Sequence, residues 1–160
     1  LPYPGGPLID KYAQLGNENA YKFTHPKVPG LDYSFSGLKT NILYFIREKL
    51  KENPDFIQQN LHDICASVQE CIVDILLLNF EKAILLNNVK DIAIAGGVSA
   101  NSGLRKGILN LSLKHQLNVH IPSFQFCTDN AAMIAMTGHF LFKNGIFSEQ
   151  NSTPAARMNF

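Results

Sequence analysis

The stretch Asp91-Ile92-Ala93-Ile94-Ala95-Gly96-Gly97-Val98-Ser99-Ala100-Asn101 decides the fold. Five residues suited to a buried strand run into two glycines, and a polar helix start follows. A strand, a glycine turn and a helix start in that order let backbone N–H groups approach a phosphate or a ribose. Further along, Cys127-Thr128-Asp129-Asn130-Ala131-Ala132 puts a carboxylate at the start of another helix. Two such helix starts in one small chain point to a nucleotide cleft with an acid beside it.

Working outward, a helix is expected from about Ser102 to His115, then a short strand Val119-His120-Ile121 ended by Pro122. A last helix runs from about Asn130 to Lys143, and the polar tail after Gly145 reads as extended. Upstream, apolar residues at Leu61, Ile64, Val68, Ile72, Ile75 and Leu76 keep a helical period, which predicts one helix over 55–86. Around Ile72–Leu78 it is apolar on nearly every side, as a central buried helix would be. Ser36 reads as the N-cap of a helix from Leu38 to Lys51, closed by Asn53-Pro54. Tyr33-Ser34-Phe35 alternates like a short strand, and residues 17–33 are otherwise irregular. Pro7 suits the first position of a helix that ends at Gly16 as its C-cap. The order describes a helix-rich α/β layer with few strands.

The chain of 160 residues is long enough for one domain with its own core. It is 46% apolar and 17% charged, and its net charge of +1 excludes a strong field toward nucleic acid or membrane. Any RNA contact must therefore come from a local patch or a partner. Cys65, Cys71 and Cys127 are odd in number and lack CxxC spacing, which argues against a disulfide framework or zinc knuckle and fits a reducing cytoplasm. No apolar run approaches the length of a membrane span. The opening Leu1-Pro2-Tyr3-Pro4 has neither an initiator methionine nor a leader, and reads as the interior of a longer protein.

Each candidate site residue has two readings. Asn101 is a helix-start residue, or an amide that donates and accepts against a ribose edge. Asp129 is a helix N-cap, or a hard oxygen ligand to a metal. Gly5-Gly6 and Asp10 are loop and helix surface, or a backbone that lies flat against a ligand with an acceptor for hydroxyls. Lys39 is a solvated lysine or faces an anionic ligand or RNA, and Arg105 and Lys106 could face phosphate but are expected on a solvated helix face. The five histidines show no HxxH or HExxH spacing, so no metal site is completed by pattern. Cys127 lacks a partner base and is expected to pack rather than to attack.

Four motifs in order, Pro4-Gly5-Gly6-Pro7, Phe35-Ser36-Gly37-Leu38-Lys39-Thr40, Ala95–Asn101 and Cys127-Thr128-Asp129-Asn130, resemble the second half of the TsaD family. These are tRNA adenosine threonylcarbamoyltransferases. The resemblance covers residues 1 to about 140 and implies one lobe of the two-lobed actin-like ATPase fold, with residues 1–160 as the second half and the first half absent. It implies transfer of a threonylcarbamoyl group from its adenylate to the exocyclic amine of adenosine 37 in tRNA. By position, Gly6, Asp10 and Asn101 match residues that hold the nucleotide-linked substrate, and Asp129 matches a ligand to a divalent metal, iron or zinc. The other ligands, two histidines of an HxxH helix, belong to the absent half, so the isolated chain is expected to be inactive. Implied partners are tRNA, threonylcarbamoyl-adenylate and helper proteins of the modification complex. Two alternatives stay open: a lobe of an actin-like sugar kinase, and a non-catalytic module that binds a complex.

Overall fold

The computed structural model describes residues 1–26 and 28–154. Its axis is a helix of 27 residues, α4 (Leu61–Asn87), which contains neither proline nor glycine. Asn88, in the left-handed region at φ 47°, ends it. The expected single helix over 55–86 is divided. A short α3 (Phe56–Gln59) precedes α4, and Asn60 between them leaves helical geometry at φ −121°, ψ 19°. Side-chain bonds hold the break: Asn60 Nδ2 donates to the Phe56 carbonyl at 2.9 Å and Asn60 Oδ1 accepts from the Tyr21 hydroxyl at 3.0 Å.

The first helix, α1 (Gly5–Ala13), lies along α4. Its C-cap is Gln14, not Gly16. Gly16 instead sits against the start of α4, where a Cβ would collide with the His62 carbonyl. The next helix, α2, spans Ser36–Glu52. Ser36 is its first residue and makes no cap bond, and Tyr33–Phe35 forms no strand. The Tyr33 hydroxyl instead donates to the Leu76 carbonyl at 3.2 Å. Leu38 of α2 packs with Cys71 and Ile75 of α4, while Phe56, Ile64 and Val68 form a cluster that takes in Tyr21, Phe45 and Ile46.

On the other side of α4, β1 (Asp91–Ala93), α5 (Ser102–His115) and β2 (Asn118–His120) form a parallel crossover. Ile92 pairs with Val119, and the buried cluster is Val73, Ile84, Ile92, Leu104 and Ile108. Gly107 lets α5 approach α4 closely, because a Cβ there would press into the Leu77 side chain. Glu81 of α4 accepts from Lys114 at 2.8 Å and pairs with His115 at the far end of α5. These bonds, Lys114 first, hold the Glu81 carboxyl below its ordinary pKa. All three cysteines are free and buried, and burial pushes the Cys65 and Cys71 thiols up. The last helix, α6 (Ala131–Lys143), buries none of its residues. Among the described residues, no helix is long and apolar enough to cross a membrane.

Candidate nucleotide and metal site

Backbone geometry fixes the glycine turn first. After β1 the chain still pairs with β2, since the Ile94 amide donates to the His120 carbonyl at 3.2 Å. Gly96 then turns at φ 81°, a value that favours glycine. A 3-10 turn, Gly97–Ala100, follows. Ser99 is buried and locks the turn, its amide and hydroxyl both donating to the Gly96 carbonyl, at 3.0 and 2.7 Å.

Asn101 closes the turn and opens α5. Its Oδ1 accepts from the Leu104 amide at 2.9 Å, so the cap reading holds. Its Nδ2 donates to Gln69 Oε1 at 2.7 Å and to Asp10 Oδ1 at 3.3 Å. Asp10 also accepts from the Ser102 hydroxyl at 2.6 Å and from the Ser102 amide at 3.2 Å. One polar network thus ties α1, α4 and the start of α5. Gln69 and Ser102 are members that the sequence reading missed. Gln69 carried a signal, as a polar side chain inside the apolar stretch of a central helix, and it is buried. The network adjoins a cleft of about 610 Å³, lined by Gln14, Gln69, Ser102 and Lys106 among others. Gly6, in the first turn of α1, is open: a Cβ built there meets nothing within 4 Å.

The second motif lies against the first, since a Cβ on Gly97 would stand 4.0 Å from Thr128 Cγ2. The N-cap of α6 is Asn130, whose Oδ1 accepts from the Met133 amide at 3.1 Å. Asp129 is therefore not the cap that the simpler reading makes it. Its carboxylate is exposed and makes no hydrogen bond to another described residue. Among the described residues, no group of three His, Cys, Asp or Glu is placed to hold a metal. Asp129 is an uncommitted carboxylate, which fits a share of a metal site.

Arg105 departs from its expected place on a solvated face. It is half-buried, and its Nε donates to the Ser99 carbonyl at 2.6 Å. Its Nη2 donates to the Pro122 carbonyl at 2.7 Å and to Cys127 Sγ at 3.2 Å. Cys127, 2% exposed, packs as expected. Lys39 is exposed at the edge of a second, apolar concavity of about 700 Å³, walled by Leu38, Ile72, Ile94 and Val98.

The sequence model of the TsaD family, described as tRNA N6-adenosine threonylcarbamoyltransferase, matches residues 1–136. The chain belongs to the TsaD family. That membership decides against the sugar-kinase alternative, and Gly6, Asp10, Asn101 and Asp129 all fall in the matched span. A tRNA N6-adenosine threonylcarbamoyltransferase of Riemerella anatipestifer is 50% identical over 157 residues, covering 98% of this chain and 46% of that protein. Its namesake in Christiangramia forsetii is 47% identical over 160 residues, 100% of this chain and 47% of the relative. That of Thermosipho africanus is 48% identical over 151 residues, 93% and 44%. This TsaD-family chain thus spans just under half the length of the relatives it matches.

Proposed function

We propose that this chain is one wall of the active site of an enzyme that transfers threonylcarbamoyl from its adenylate to N6 of adenosine 37 in tRNA. The observation that carries the reading is the meeting of Asp10 with Asn101 and Ser102, residues far apart in the chain, at the glycine turn. Asp10 already accepts from a hydroxyl there, and ribose hydroxyls are donors of the same kind. Gly6 leaves open space beside the same helix for the nucleotide.

In the reaction, the adenosine amine forms a C–N bond to the carbamoyl carbon, the bond from that carbon to the adenylate phosphate oxygen breaks, and the amine gives up a proton. This wall contributes position and electrostatics. Cys127 is not an attacking group in this reading, since it is buried beneath the Arg105 guanidinium. Asp129 would hold a divalent metal, iron or zinc, together with donors this chain does not provide. When bound, such a metal polarises the carbamoyl carbonyl. Threonylcarbamoyl-adenylate, tRNA and helper proteins are the partners in this reading, and the buried free thiols agree with a cytoplasmic setting.

Asp129→Asn in the full-length protein is the test. Because Asn130 caps α6, the change should leave stability within about 0.5 kcal/mol. Bound metal and transfer should both be lost, since an uncharged amide is a much poorer ligand. Full metal occupancy with normal turnover would remove Asp129 from the site.

A further inference from the structure

We propose that Arg105 is a positioning residue that locks the glycine turn and the Asp129 loop into one rigid unit. Its consequence for catalysis rests on the reading above, while the lock itself rests on geometry alone. Two of the three acceptors bound by this guanidinium stand just ahead of the residues proposed to hold substrate and metal. Ser99, whose carbonyl takes Nε, precedes Asn101 by two positions, and Cys127, whose sulfur takes Nη2, precedes Asp129 by two. The third acceptor, the Pro122 carbonyl, fixes the chain as it leaves β2. The Phe124 ring lies under the guanidinium at 4.1 Å and covers it.

Among the described residues, no other side-chain hydrogen bonds tie the two loops together. The Thr128 methyl lies near Gly97, 4.0 Å from where a Cβ would stand, and a methyl holds no direction, whereas a planar fork with fixed donor angles does. Lysine would keep the charge but not the fork. The Arg105 guanidinium bonds neither Asn101 nor Asp129; only the Arg105 amide meets Asn101, donating to its carbonyl at 3.1 Å, so the side chain acts through the backbone ahead of each residue.

The experiment compares the full-length protein with Arg105→Met and Arg105→Lys, reading amide exchange over 97–101 and 127–130 and the rate of Cys127 labelling by a thiol reagent. Arg105→Met should loosen both segments together and speed labelling, with Arg105→Lys falling between it and the parent. Transfer turnover should follow, dropping on the order of 10–100-fold in Arg105→Met, as for loss of an outer partner that orients a ligand. Unchanged labelling and exchange in both variants, or loosening of one segment alone, would overturn the lock. Loosening of both with turnover intact would also end its positioning role. Failure of the functional reading has a different signature: Asp129→Asn would then keep metal and turnover while the Arg105 variants still loosen both loops.

Discussion

Asn101 shows how one side chain serves two ends, capping α5 through Oδ1 and holding Asp10 and Gln69 through Nδ2. Its cap role was legible in the sequence, because a cap needs only a neighbour three residues on. The rest was not, since Asp10 and Gln69 lie 91 and 32 positions away. For the same local reason Asp129 read as a cap, whereas the Asn130 side chain takes that place by accepting from the Met133 amide. Substitution at 101 separates the two ends. Asn101→Ala should lose about 1–2 kcal/mol, as for a missing cap. Asn101→Asp keeps a good cap oxygen but sets a second carboxylate beside Asp10 and leaves Gln69 without its donor. It should cost at least as much in denaturant unfolding. An Asp variant as stable as the parent would mean that the Asp10–Gln69 network contributes nothing.

Helices announced themselves where their period was long: the bounds of α5 match the expectation, and α6 begins one residue later than expected. Misses fell where a tertiary contact overrode a short pattern. The break at Asn60 carries no glycine or proline and depends on Tyr21, which lies far back in the chain. Three alternating residues at Tyr33–Phe35 found no strand to pair with. Gly16 looked like a cap because glycine so often is one, yet it marks a close approach between backbones. That difference can be measured. Gly16→Ala meets the unyielding His62 carbonyl and should destabilise by about 1–3 kcal/mol, as overpacking does. Gly107→Ala meets only the movable end of Leu77 and gains helix propensity, so it should cost less. Equal melting temperatures for the two variants would contradict this account of the two close approaches to α4.

For the molecule as a whole, the helix-rich α/β class and the family were legible, because four motifs in fixed order need no tertiary information. Burial was less so. Ile72–Leu78 read as enclosed, but Leu78 is 52% exposed, and the apolar α6 exposes Ile134 at 76% and Phe142 at 68%. An apolar run says that a helix suits burial, not which surface covers it. If this chain holds the nucleotide wall and one metal carboxylate, it carries half a site and cannot turn over alone. The most direct measurement assays tRNA modification with threonylcarbamoyl-adenylate for the purified 160-residue chain and for the full-length protein, side by side. N6-threonylcarbamoyladenosine is expected from the full-length protein, and none above the no-protein control from the chain alone. Product from the isolated chain, or none from a folded, metal-loaded full-length protein supplied with its helper proteins, would contradict the half-site reading.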